Sequence, residues 1–311
     1  MLESQKLILL VSSGVAGLLI GSFLNVCIFR LPRNCMSIVK PRSRCPKCLR
    51  WIVWYDNLPV VSWLMLGGKC RGCRAPISPR YALVELLTGA IYLYAGWEAL
   101  YGVAHPGWHE AVRFAVEAWF LASLIVCTFI DYDFQILPDE ITLSGIAIGL
   151  ILSLAFPFLH ETGLPLPEAL KSVAQFFTRF PRVGSLASSA FGALIGAAVI
   201  YGADLLGKLL FRKEGMGLGD VKYVAMFGAV LGWKGALMGF MVACLAGAVF
   251  GIGKLIVVRR MGYVPFGPFL SAGALIILFW TKHVVHAIFV YIGWMHSLSV
   301  WVLQLFGMRP V

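Results

Sequence analysis

The sequence predicts an all-α integral membrane protein that crosses the bilayer about eight or nine times, with a small cysteine-rich lobe between its first two helices. Three observations predict it. Only 13% of the 311 residues are charged, and the mean hydropathy is +0.83, whereas a soluble domain carries about 25% charge. Charge-free runs of roughly 20 residues recur at Leu7–Phe29, Val183–Ala203 and Met261–Thr281, each long enough as a helix to span about 30 Å of hydrocarbon. The charge that remains is concentrated in one stretch, which also holds two cysteine pairs.

The first run is expected to be a retained helix over residues 1–29. It is longer than the h-region of a secretory signal, and it leads into Arg30 and Arg33 instead of an A-x-A-like cleavage site. Gly17 and Gly21 form G-x-x-x-G, the pattern of close helix packing. Asn25, one turn on, is a polar group available to a site.

Residues 30–80 follow as a loop domain. Between Arg30 and Arg80, eight Arg and three Lys face one acid, Asp56, so this stretch carries +10 of the chain's +11. A basic stretch this dense often signals nucleic acid. Flanked by apolar spans, it is better explained by the excess of Lys and Arg on cytoplasmic loops, where it can also rest on anionic lipid headgroups. No nucleic-acid partner is expected.

Placing 30–80 inside orients the rest of the chain. Tyr81–Tyr101 runs outward, and Ala111–Ile130 returns to deliver Asp131 to the inner face. Ile141–Leu159 goes out again. An outer loop, 160–185, follows, with an amphipathic stretch at Glu168–Phe180. Leu186–Phe211 returns inward to Arg212, Lys213 and Glu214, just before Asp220. Apolar segments at about 221–237 and 238–258 lead to Arg259 and Arg260, and a final pair covers about 264–281 and 284–306. Residues 81–311 thus form one membrane core, with the acids at 131 and 220 on the same side.

Two constellations carry chemistry. Cys45-Pro-Lys-Cys48 and Cys70-Arg-Gly-Cys73, 21 residues apart, have the spacing of a four-thiolate structural zinc site. A redox pair of C-x-x-C motifs is the alternative, and the reducing cytoplasm favours metal over cystine. Four thiolates close the coordination sphere, so the zinc is expected to be structural. Cys27, Cys35, Cys127 and Cys244 lack partners at ligand spacing and are read as apolar packing residues.

The second constellation is a set of acids at membrane edges: Asp131-Tyr-Asp133, Pro138-Asp139, and Asp220 in Gly215-Met-Gly-Leu-Gly-Asp220-Val-Lys222. Ionisable groups beside hydrocarbon are costly and commonly functional. Three glycines ahead of Asp220 leave the backbone free to accept an extended strand or to let the acid move. Two carboxylates sharing a site hold one proton between them, which suits hydrolysis of a peptide bond by activated water. Asp131 and Asp133 remain rivals on position alone. No G-x-S-x-G, H-E-x-x-H or P-loop is present. The six histidines, at 105, 109, 160, 283, 286 and 296, lie mostly outside or near the C-terminus; His283 and His286 have metal-ligand spacing but fit interfacial positions.

Together these residues resemble the prepilin peptidase family, the leader peptidases and N-methyltransferases of type IV pilus and type II secretion systems. The likeness spans about 18–270. It rests on Gly21–Val26 with Arg30-Leu-Pro32, on Ser43–Cys48 through Trp54–Pro59, Ser62-Trp63 and Gly68–Cys73, on Ile77-Ser78 and Arg80–Glu85, and on Asp131–Asp139 and Gly217–Asp220. The resemblance implies that prepilins or pseudopilins are cut after a Gly at the leader junction. It also implies that the new N-terminus is methylated by S-adenosylmethionine, for which no nucleotide fingerprint is visible. It implies Asp131 and Asp220 as the catalytic pair, with Asp133, Asp139, Gly217, Gly219 and Lys222 in support. The loop 160–185 and the tail beyond about 282 look longer than the family pattern. An ion-coupled transporter would show repeated halves and mid-span acids, and neither is evident. Presenilin-type proteases also use a G-x-G-D acid but have no cysteine lobe.

Overall fold

The computed structural model describes residues 3–33, 37–40, 42–159, 177, 179–211, 216–258 and 264–305. The expected outer loop 160–185, but for 177 and 179–185, lies outside the described residues, as do Arg212, Lys213, Arg259, Arg260 and the tail from 306.

Among the described residues the chain is helical, with two isolated β-bridges and no strand. Eight α-helices follow in order: α1 Glu3–Arg30, α2 Val61–Met65, α3 Pro79–Gly96, α4 Trp108–Phe134, α5 Asp139–Ala155, α6 Pro181–Phe211, α7 Leu218–Val258 and α8 Gly267–Leu305. Five of them (α1, α4, α6, α7 and α8) are long and apolar enough to cross a membrane. α3 starts at Pro79 in the first turn, with the Ser78 hydroxyl accepting the Arg80 N–H at 3.3 Å, a standard N-cap. α4 is closed at its start by Glu110, which accepts the Gly107 N–H at 2.8 Å. It ends on left-handed Gln135, whose N–H returns to Asp131 O at 2.9 Å.

A straight helix of 41 residues, the length of α7, would run about 60 Å, twice the hydrocarbon thickness. α7 is instead broken at Gly232, with φ 74° and ψ 173°, a conformation essentially open to glycine alone. Apolar segment lengths place this break near residue 237; glycine backbone freedom moves it to 232. α8, of 39 residues, is interrupted at Trp280, close to the division expected before Lys282.

Side-chain contacts show how the helices run. Ser189 donates to Ala229 O at 2.7 Å, while Gly196 meets Val224, so α6 and the first half of α7 are antiparallel. Gly239 meets Gly273 and Gly235 faces Ile277, so the second half of α7 is antiparallel to α8. Phe120 stacks edge-on to Phe227 at 5.8 Å, while Ser271 donates to Leu124 O and Gly267 to Asp131. α4 therefore opposes both the start of α7 and the start of α8, and the chain reverses at Gly232.

α1 lies along α3 at backbone contact. A Cβ at Gly17 would stand 2.6 Å from Tyr92 Cβ, and one at Gly21 2.8 Å from Glu85 Cα. The core is built where α4, α7 and α8 meet, from Phe120, Leu121, Leu124, Tyr223, Met226, Phe227 and Leu270. Cys27 and Cys127 are buried among apolar side chains. As a result the ends of α1 and α4 and the starts of α3, α5, α7 and α8 all gather at one end of the bundle.

Candidate active site

That shared end holds the acids. Asp131 lies in the last turn of α4 and is 5% exposed. Its Oδ2 accepts the N–H of Gly267, the first residue of α8, at 2.8 Å. Gly267 O in turn accepts from the Ser271 hydroxyl at 2.9 Å, and Ser271 bonds the buried Tyr223 hydroxyl at 2.8 Å. The helix entry at Pro265-Phe266-Gly267 is thereby anchored against the carboxyl from three helices.

Asp220 opens α7 and is partly buried. Its Oδ2 accepts the Gly217 N–H at 3.0 Å, satisfying an otherwise unpaired donor at a helix start. Asp131 is near enough for its charge to act on Asp220, and so is Asp204. Gly219 packs on Leu137, where a Cβ would sit 3.3 Å from the leucine Cβ, so the segment 217–220 lies against the 135–138 connection.

The neighbouring acids are differently employed. Asp133 forms an ion pair with Arg80 at 2.7 Å, and Arg80 also donates to Phe129 O at 3.3 Å. Asp139 takes Lys222 at 2.8 and 2.9 Å. Of the four acids singled out in the sequence, Asp131 and Asp220 thus accept backbone N–H groups, while Asp133 and Asp139 neutralise cations. Carboxylates held by neutral donors, close to one another, can share a proton, whereas those locked to Arg or Lys are committed to a cation.

Two participants were not legible beforehand. Asp204 is buried inside α6, accepts Met216 N–H at 3.1 Å and pairs with Lys208 at 2.8 Å. An acid one residue beyond a charge-free run was its only trace. Gly267 carries no sequence mark beyond the Pro-Phe-Gly-Pro stretch that starts α8.

The cysteine lobe joins the same end through the Arg80–Asp133 pair. Its two knuckles repeat one another. Cys45 N donates to Arg50 O at 3.0 Å and Leu49 N to Cys45 O at 2.9 Å; Cys70 N donates to Ala75 O at 2.9 Å and Arg74 N to Cys70 O at 3.0 Å. Bridges pair Arg44 with Trp51 and Lys69 with Pro76. Leu49 and Arg74, each just after a second cysteine, are both left-handed at φ 58°.

All four sulfurs lie within 4.8 Å of one another, with Cys45–Cys73 at 3.8 Å and Cys48–Cys70 at 4.0 Å. Disulfide sulfurs would be about 2.05 Å apart, whereas tetrahedral ligands 2.3 Å from one ion stand about 3.8 Å apart. N–H groups of Cys73 and Gly72 aimed at Cys70 hold its thiol at about 6, and those of Cys48 and Lys47 lower Cys45 likewise. Four sulfurs converging at this separation fit a single metal ion.

A cavity of about 690 Å³ separates this lobe from α1 and α3. Asn25 lines it and donates to Tyr81 O at 3.0 Å. The histidine pair at 283 and 286 sits on α8, far along the chain from these acids, and joins no metal-ligand cluster among the described residues.

Residues 15–99 match the Bacterial Peptidase A24 N-terminal domain, and residues 118–252 match the Type IV leader peptidase family. Among curated proteins, the chain is 36% identical to the prepilin leader peptidase/N-methyltransferase of Aeromonas hydrophila, covering 85% of this chain and 88% of that one. It is 32% identical to the protein of the same name from Pseudomonas aeruginosa, covering 94% and 97%. With the Myxococcus xanthus protein of that name the identity is 38%, over 80% of this chain and 64% of its relative. No solved structure matches.

Proposed function

The chain belongs to the Type IV leader peptidase family, and we propose that it is a membrane aspartic endopeptidase that removes prepilin or pseudopilin leaders and then methylates the new N-terminus. The observation that carries the peptidase half is the division of labour among four acids. Asp131 and Asp220 approach from two helices and accept only N–H groups among the contacts described, while Asp133 and Asp139 are committed to Arg80 and Lys222.

In this reading the ionised member of the pair takes a proton from water as the oxygen attacks the scissile carbonyl. The protonated member hydrogen-bonds the carbonyl oxygen, and the proton then passes to the leaving nitrogen. Gly267 N–H and Gly217 N–H orient the two carboxyls. Gly217 and Gly219 keep the Asp220 approach narrow in side-chain bulk, so an extended leader junction can lie against it. Lys222 and Asp139 tie α5 to α7 beneath it.

The four cysteines would hold zinc, with a structural role, because all four ligand positions are filled by protein. S-adenosylmethionine would supply the methyl group. The basic 30–80 stretch favours placing the lobe and the acids at the cytoplasmic face of the bacterial inner membrane. In this reading α3, α5 and the two parts into which Gly232 and Trp280 break each of α7 and α8 are passes of their own, giving eight or nine spans.

Incubating the purified protein with a purified prepilin, with and without S-adenosylmethionine, tests the reading directly. Mass measurement should show the leader lost in both reactions and one methyl group added only with the donor. An intact prepilin in both would overturn it.

A further inference from the structure

We propose that the cavity between the cysteine lobe and helices α1 and α3 is the methyl-transfer chamber, with Glu85 as the group that binds the peptide's new terminal ammonium and accepts its proton. The inference rests on the methylation half of the proposed function.

At about 690 Å³, the cavity falls in the range of small-molecule and cofactor sites, roughly 300–1,000 Å³. Its wall mixes aromatic surfaces, among them Trp51, Tyr55 and Trp63, with basic side chains such as Arg44 and Arg50. Such a wall suits an adenosyl ligand with an amino-acid carboxylate: a base stacks on aromatic faces, and a carboxylate meets Arg. Neither Asp131 nor Asp220 lines it, so cleavage and methylation would occupy separate chambers at one end of the bundle.

The charges inside the cavity point to Glu85. Two acids line it, Asp56 and Glu85. Asp56 is neutralised by Arg71, which reaches both its oxygens at 2.6 to 3.0 Å. Glu85, 9% exposed, accepts the Val60 N–H at 2.8 Å and a hydrogen bond from Ser22; both partners are neutral. Among the described residues it is therefore the one acid of the cavity whose hydrogen-bond partners are both neutral, in a wall otherwise rich in basic side chains. Methyl transfer to an amine brings together two cations, an ammonium and a sulfonium, and a single buried carboxylate is the feature that would hold them.

The backbone group that donates to Glu85 belongs to a residue in an unusual conformation. Val60 has φ 61° and ψ −50°, a conformation a β-branched residue rarely adopts, and its N–H points at Glu85. Strained residues of this kind cluster at ligand clamps.

The step balances without another reactant. The terminal ammonium gives one proton to the Glu85 carboxylate. The freed amine lone pair forms an N–C bond to the donor's methyl as the C–S bond breaks, its electrons remaining on sulfur in a neutral thioether. The product is an N-methylammonium, and the Glu85 proton leaves to solvent.

The test uses full-length protein in detergent, purified prepilin and S-adenosylmethionine labelled in its methyl group. Ultraviolet cross-linking of the donor to native protein should label peptides within residues 22–85. The Glu85→Gln variant should cleave the leader within about twofold of native, yet methylate at least about 100-fold more slowly. Its residual methylation should rise nearly tenfold per pH unit below about 7.7, the ordinary value of an α-amine, while the native enzyme shows a flatter profile. Label confined to residues 108–305, methylation by the variant at the native rate, or parallel loss of cleavage and methylation would each overturn the proposal. Native protein that cleaves but never methylates, and takes no label, would instead remove the methylation half of the proposed function and this inference with it.

Discussion

The N–H of Gly267 donates to Asp131 at 2.8 Å, and a Cβ placed on Gly267 would lie 2.7 Å from that same carboxyl oxygen. The start of α8 is therefore moulded on the end of α4, and the carboxyl is oriented by a backbone group that tolerates no side chain. Gly267→Ala must displace either the acid or the helix start. Displacements of about 1 Å at a reacting group cost on the order of 100-fold in rate. We expect Gly267→Ala to insert and fold but to cleave prepilin roughly 10- to 100-fold more slowly, measured as initial rate; a native rate would mean this contact does not orient the acid.

Asp133 and Asp139 should behave differently from their neighbours. Both sit in ion pairs with substantial exposure, 26% for the Asp133 side chain and 55% for Asp139, and such pairs contribute about 0–1 kcal/mol. Asp133→Asn and Asp139→Asn should each keep cleavage within a few-fold of native. A loss in Asp133→Asn as deep as that in Asp131→Asn would reopen the choice between them.

The cysteine cluster predicts one metal ion per chain. Cys70→Ser removes one ligand of four, and structural sites of this type couple metal binding to folding. Elemental analysis should find zinc in the native protein and a large deficit in the variant. Limited proteolysis should then open the 43–78 region while α4–α8 stay protected. Native protein without metal would exclude the four-thiolate site.

Gly232 should be a stability position. Its φ of 74° with ψ 173° is costly for any L-residue, by about 1–3 kcal/mol. Gly232→Ala should lower the thermal unfolding midpoint in detergent, with little change in the cleavage rate of the protein that remains folded, because the turn lies at the opposite end of the bundle from Asp131 and Asp220. An unchanged midpoint would show that the break does not depend on glycine.

Some of this was legible in the sequence because the determining contacts are local. The cysteine knuckles depend on ligands three residues apart and on turns within each knuckle, so spacing alone revealed them. Charge-free runs likewise announced α1, α6 and the first part of α8. The break in α7 was misplaced because segment length divides 218–258 near its middle, and nothing in the spacing marks Gly232 among Gly228, Gly235 and Gly239. The separation of Asp131 from Asp133 was also out of reach. It depends on pairs formed across 53 and 83 residues, Arg80–Asp133 and Lys222–Asp139, and on a backbone N–H 136 residues away at Gly267. Asp204 stayed hidden for the same reason, since its bearing on Asp220 arises only when α6 packs against α7.

The central claim is that Asp131 and Asp220 form one catalytic pair. Its most direct test is the prepilin cleavage rate of Asp131→Asn, Asp220→Asn and the double variant, each purified from membranes and checked for normal insertion. The account predicts that each single change abolishes cleavage and that the double change costs no more than either, because the two carboxyls act as a unit. Cleavage retained by either single variant would contradict it.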